Sequence, residues 1–169
     1  MGFSMFYRRI LPHLQRDNKH HFITFCTRNR WILPDAARDI VFASSLHDEG
    51  DRYLLDALVI MPDHAHLIFT PLINMAERRV WILPEIMDAI KGASAHLINK
   101  KLGRRGRVWQ EESFDHVLRS SEHLRDKIHY VLENPVRRGI VERWQDYPWL
   151  WHRPLENVFK PGQPEPKKP

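Results

Sequence analysis

Six segments in the order strand-helix-strand-strand-helix-strand, with an echo between the two halves, predict an α+β fold. The expected architecture is a ferredoxin-like split βαβ sandwich, an antiparallel sheet with helices on one face. The echo is "WILPD" at 31–35 and "WILPE" at 81–85, each following a strand region and preceding a helix. A chain of 169 residues with 43% hydrophobic content suits one globular domain with its own core. That domain is expected over 1–153. A solvated, disordered tail should follow over 154–169, where five of sixteen residues are proline.

Each element has a local reason. "HHFITFCT" (20–27) alternates apolar and polar residues and is rich in aromatic and β-branched side chains, which predicts the first strand. In "PDAARDIVFASSLHDEG", Pro34 suits a first helical turn, Asp35 the positive helix end and Gly50 the stop. "RYLLDALVIMP" and "HAHLIFTPL" predict two antiparallel strands around a short turn at Pro62 and Asp63. "PEIMDAIKGASAHLINKKLG" predicts a second helix with Ile86, Ile90, Ala93 and Leu97 on one face and Gly103 at its end. "VWQEESFDHVLR" reads as a fourth strand. "SEHLRDKIHYVLENP" then predicts a third helix, capped by Ser121, with Leu124, Ile128 and Leu132 spaced four apart.

No stretch approaches the roughly 20 apolar residues needed to span a bilayer. The N-terminus has neither an apolar block nor a cleavage signal of the secretory kind, and a cytoplasmic setting with no membrane partner is expected. The single cysteine, Cys26, excludes an internal disulfide and a thiolate cluster. The net charge of +5 is unevenly placed. "KKLGRRGR" holds Lys100, Lys101, Arg104, Arg105 and Arg107 with no acid among them; Arg8, Arg9, Arg16 and Lys19 form a second cluster, and Arg137 with Arg138 a third. Such clusters favour a polyanion by releasing its counterions, although an ordinary solvated surface has the same composition. In the basic loop the arginines would hold phosphates without reading sequence. Trp109 would either stack on an unpaired base or be buried.

"MPDHAHLIF" (61–69) places His64 and His66 one residue apart. On a strand, positions i and i+2 share a face, so both imidazoles emerge side by side, a plausible start of a metal site. The third helix supplies partners. Tyr130 and Asn134 stand four apart and share a helix face. Asn134 precedes Pro135, so the helix should end or kink there. This set suggests phosphodiester transfer. A divalent metal held by His64, His66 and Asn134 would polarise a phosphate, and Tyr130 would attack it to give a 5′-phosphotyrosine and a free 3′-hydroxyl. Mixed nitrogen and oxygen ligands suit Mg²⁺ or Mn²⁺ in use, with zinc or nickel binding tightly in vitro. Asp63 and Gln110 are substitute ligands for Asn134. His129 is expected at the surface, and Lys127, one turn before Tyr130, either steadies a phosphate or is solvated.

"VIMPDHAHLIF" resembles the His-hydrophobic-His (HUH) motif of one-tyrosine, single-strand transposases. "YVLENPVRRGIVERWQDYPW" and "KGASAHLINKKLGRRGRVWQEESFDHVLR" resemble the branch called REP-associated tyrosine transposases, so the similarity covers roughly residues 8–149. The resemblance implies an HUH endonuclease type of ferredoxin-like fold. It also implies a metal site of His64, His66 and Asn134, with Tyr130 as nucleophile. The expected substrate is single-stranded DNA bearing a hairpin, such as a repetitive extragenic palindrome, cleaved beside a short guide sequence without ATP. Insertion-sequence members are swapped dimers and the REP-associated branch is described as monomeric, so monomer and homodimer both stay open. The chain departs from the pattern in having Asp63 where relatives commonly have Asn, and "PWLW" where they have "PWSS". A non-catalytic nucleic-acid-binding module on the same fold and a water-using metal-dependent phosphodiesterase are the rival readings.

Overall fold

The computed structural model describes residues 19–154. Arg8, Arg9 and Arg16, and all of the expected tail beyond Pro154, lie outside the described residues.

Three segments with strand periodicity pair as the sheet centre: β1 (His20–Cys26), β2 (Tyr53–Ile60) and β3 (His64–Pro71). A small hairpin follows, β4 (Ile73–Asn74) with β5 (Arg79–Val80), and then β6 (Phe114–Leu118) and β7 (Leu150–His152). The helices are α1 (Asp35–His47), α2 (Leu83–Leu102), α3 (Ser121–Leu132) and α4 (Asn134–Arg137). The main sheet has the order β6-β1-β3-β2-β7 and is antiparallel throughout. Its first four strands interleave the two halves, β1 and β2 alternating with β3 and β6, as a split βαβ unit requires. Neither the β4–β5 hairpin nor β7 is foreseen from the sequence. The aromatic segment "ERWQDYPWLW" straps across the domain, and its last residues add β7 to the free edge of β2. The fourth strand is shorter than expected, because Trp109 leaves the sheet after an isolated bridge to Thr27.

The α1/α2 face is dry. Ile23, Phe25, Leu67 and Phe69 pack there against Ala37, Val41, Ile86 and Ile90. A register shift between Leu55 and Ala57 swaps the alternation along β2. Tyr53 and Leu55 face α1 and α2 before it, and Leu58 and Ile60 do so after it. The core row of α2 is Ile86, Ile90, Ser94 and Ile98, one position beyond the expected Ala93 and Leu97; Leu97 is 45% exposed. Ser94 is tolerated because its hydroxyl donates back to the Ile90 carbonyl at 2.7 Å and accepts from Trp109 Nε1 at 3.0 Å. Gly103 closes the helix in the left-handed region (φ 59), donating to the Asn99 carbonyl.

Helices on one face is right for α1 and α2. The third helix lies on the other. Leu124, Ile128, Val131 and Leu132 of α3 bury against Phe22, Ala57 and Ile68, so the sheet is covered on both sides. Ser120, not Ser121, is the α3 cap, its hydroxyl accepting from the His123 amide.

Candidate active site

β3 begins at His64, so His64 and His66 emerge on the α3 face while Ala65 and Leu67 turn into the dry core. Antiparallel pairing sets Cys26 opposite His64 and Thr24 opposite His66. Both histidines are 5% exposed, and their ring centroids are 4.8 Å apart. Each is fixed through Nδ1. Asp63 Oδ1 accepts a hydrogen bond from His64 Nδ1 at 2.6 Å, and Thr24 Oγ1 lies 2.7 Å from His66 Nδ1. The Asp63 carboxylate only accepts, so His64 carries its proton on Nδ1 and keeps the lone pair on Nε2; His66 has the same arrangement when the Thr24 hydroxyl accepts from its Nδ1. His66 Nε2 is buried and has no hydrogen-bond partner.

The electrostatics favour neutral imidazoles, the form that binds cations. Burial, then neighbouring His64, Arg137, Lys127 and Arg138, push His66 down to about 3. Burial also lowers His64, against the opposing pull of Asp63. Burial alone would raise Asp63, but its hydrogen bond and charge pairing with His64, aided by Arg30 at 3.1 Å, hold it below the ordinary value. The turn carrying Asp63 is anchored by Thr27, whose amide and hydroxyl both donate to the Asp63 carbonyl. Arg30 reaches Asp63 from a left-handed backbone (φ 55), an uncommon conformation for a side chain of its size.

α3 ends at Leu132. Glu133 then breaks the rod, and Asn134 opens α4 ahead of Pro135. The expected kink before proline is therefore a change of helix. Both sides of it still deliver to one place: Tyr130 and Asn134 line a cavity of about 240 Å³ together with His64 and His66. Asn134 is 5% exposed, whereas Tyr130 is 41% exposed and open to solvent. The Tyr130 ring stands 5.7 Å from His66 and 6.0 Å, edge-on, from Phe22, which stacks on His66 at 5.4 Å. Two cations flank the phenol. The Arg137 guanidinium lies 4.2 Å from the ring centroid and donates to the Tyr130 carbonyl, and Lys127 Nζ is 5.1 Å away.

Among the described residues no three His, Cys, Asp or Glu side chains gather as a metal centre. The donor set at this cavity is two imidazoles and the Asn134 amide, with Cys26 and Thr24 also on its wall. It suits a hard or borderline cation that retains open positions. The buried, unpartnered Nε2 of His66 is the feature that an ion would satisfy.

Other expected residues lie elsewhere. Trp109 is 5% exposed, edge-on to Phe25 at 4.8 Å. Of its two placements the fold adopts the buried one, and no base can reach it. Arg104 stacks over Trp31 at 3.8 Å, Arg107 pairs with Glu111, and Lys100, Lys101 and Arg105 are exposed. Gln110 is exposed and is not among the cavity residues. Sequence reasoning missed Thr24, Arg30 and Cys26. Thr24 and Cys26 share a strand face with Phe22, which is legible, but which strand lies beside them is not. Arg137 and Arg138 stood out as a basic pair without a site to serve.

No protein-family model matches the chain. It is similar to a Haemophilus influenzae protein whose name assigns it provisionally to the REP-associated tyrosine transposases, at 28% identity over 75% of this chain and 78% of that one. It is also similar to the REP-associated tyrosine transposase of Escherichia coli, at 27% identity over 63% of this chain and 59% of that protein's length. The structure of a REP-associated tyrosine transposase bound to a REP hairpin superposes with a TM-score of 0.63, at 23% identity, covering 79% of this chain and 76% of that one. The similarity to these relatives thus spans 63–75% of this chain, and the fold is shared with the hairpin-bound protein. No helix among the described residues is long and apolar enough to cross a membrane.

Proposed function

We propose that this chain is a metal-dependent single-stranded DNA endonuclease and strand transferase acting on hairpin-bearing DNA, with Tyr130 as nucleophile. The observation that carries the reading is the buried, unpartnered Nε2 of His66, a residue on the wall of the cavity that Tyr130 and Asn134 also line. Names of relatives favour a palindrome-derived hairpin as substrate.

His64, His66 and Asn134 would hold a divalent cation, Mg²⁺ or Mn²⁺. Bound there, it supplies Lewis-acid polarisation of the scissile phosphate and neutralises developing charge. The protein's own groups do the rest. Thr24 and Asp63 hold the imidazoles by Nδ1, which leaves Nε2 as the atom for the cation. Arg137, Arg138 and Arg30 border the cavity and draw the phosphate toward Tyr130. The Tyr130 oxygen bonds to phosphorus as the bond from phosphorus to the 3′ oxygen breaks; the phenol gives up its proton and the leaving oxygen gains one. The product is a 5′-phosphotyrosine with a free 3′-hydroxyl, so the bond energy is kept for rejoining. All four groups belong to one chain, and a monomer suffices. Lys100, Lys101, Arg104, Arg105 and Arg107, together with Arg8 and Arg9, would hold phosphates farther along the DNA.

The test mixes protein, Mg²⁺ or Mn²⁺ and a labelled single-stranded hairpin, then looks for a protein–DNA adduct that survives denaturation. Adduct with the natural chain and none with Tyr130→Phe supports the reading. Cleavage that persists in Tyr130→Phe without adduct replaces it with a water-using phosphodiesterase. Hairpin binding with no cleavage under any metal replaces it with a binding module.

A further inference from the structure

We infer that Phe114 is a stacking platform for an unpaired nucleobase beside the scissile phosphate. The inference rests on the reading of the cavity as a single-strand DNA site and adds a named base-binding residue to it. Phe114 is 60% exposed, an unusual position for a large aromatic at the start of a strand. Its register explains where it points. Phe114 pairs with Thr24, Thr24 with His66, and His66 with Val59, so one cross-strand row runs through β6, β1, β3 and β2. Residues in such a row share a face of the sheet. Phe114 therefore lies on the same face as the histidines, two strand spacings, or about 10 Å, from His66 across the sheet. Its ring meets the edge of Phe22 at 6.5 Å, and Phe22 in turn contacts His66 and Tyr130.

A chain of ring contacts thus links the exposed Phe114, through the buried Phe22, to the half-exposed Tyr130, and leaves Phe114 and Tyr130 as the rings open to solvent. The cations stand along the same path: Lys127 Nζ lies 4.8 Å from the Phe22 ring centroid, and Arg137 covers Tyr130. A single strand has this alternation of flat apolar bases and phosphates, and proteins that bind it pair aromatic faces with basic grooves. Trp109, the aromatic that the sequence offered for this role, is buried. Stacking requires no hydrogen-bond code, so the platform accepts any base and fixes the distance between that base and the cleaved bond.

Labelled twelve-nucleotide oligothymidylate and a matched abasic oligomer are titrated with the full chain in chelator, with binding read by anisotropy. Phe114→Ala should weaken oligothymidylate binding about ten-fold and change abasic binding by no more than about two-fold. Phe114→Trp should bind as the natural chain does, its added emission quenched by oligothymidylate and not by the abasic oligomer. Equal losses on both probes, no loss on either, or a natural chain that does not prefer the base-bearing probe overturn the inference. The adduct assay separates the two ideas. A Tyr130 adduct with an unaffected Phe114→Ala variant removes only the platform, and a selective Phe114 effect with no adduct removes only the cleavage chemistry.

Discussion

The two faces of the sheet are built from the same strands and do opposite jobs. On β3, Ala65, Leu67 and Phe69 turn to α1 and α2, while His64, His66 and Ile68 turn to α3. The first face is apolar and covered through its centre, and at its β6 edge His21 and Asp115 pair at 3.0 Å. The second is divided. Rows through Phe22, Ala57 and Ile68 bury against Leu124 and Ile128, and the rows through Thr24 and Cys26 open into the cavity. The apolar half anchors α3, and the anchor brings Tyr130 over the polar half. Alternation along a strand thus lets one sheet carry a core and a reactive site without either compromising the other.

The widest separation between the faces is expected from one variant on each. Tyr130→Phe should cut adduct formation by about 10³-fold or more, with unfolding by urea unchanged, since the hydroxyl carries no packing. Leu67→Ala, on the dry face, should cost about 2–5 kcal/mol in urea unfolding, while the folded fraction still forms adduct. A Tyr130→Phe variant that loses stability like Leu67→Ala would break the comparison.

The support behind the histidines sharpens it further. Thr24→Val and Asp63→Ala should each weaken Mn²⁺ binding, measured by calorimetry, by about 10–100-fold. Asp63→Asn keeps an oxygen for His64 Nδ1–H and should lose less. Equal affinity in all variants would mean that the imidazoles need no orientation.

Stability against pH should have two limbs, one from each face. His66 sits near 3 in the fold against an ordinary 6.5, so the unfolded chain takes up a proton first. Metal-free protein should therefore lose stability as pH falls from about 6.5 toward 3, and His66→Gln should flatten that limb. On the dry face, burial raises the Tyr53 phenol, whose hydroxyl donates to the Ser45 carbonyl. The unfolded phenol ionises first, so stability should fall as pH rises beyond about 10. Urea midpoints across pH test both signs. The smallest effect is expected from the basic loop: Arg105→Gln should weaken DNA binding evenly across sequences and reduce the salt slope by about one.

Much of this was legible because it is local. The period of two in "HAHLIF" placed His64 and His66 on one face, and the four-residue spacing paired Tyr130 with Asn134, whatever the rest of the chain does. Turn residues and helix signals gave the strand and helix order, and with it the split βαβ unit. The α2 core row was missed by one position because Ser94 looks polar in sequence, and only its bonds to Ile90 and Trp109 make it a core residue.

What the tertiary structure decided is everything that joins distant segments. It chose the face for α3, sent Trp109 inward and left Phe114 outside, and added β7 to the β2 edge. It also set Thr24 beside His66 and Arg137 over Tyr130. Side-chain direction within one element follows from backbone geometry alone, so a sequence can declare it. The neighbour across a strand pair or beneath a helix depends on register and on which apolar surfaces find each other, and those are settled only when the whole chain packs.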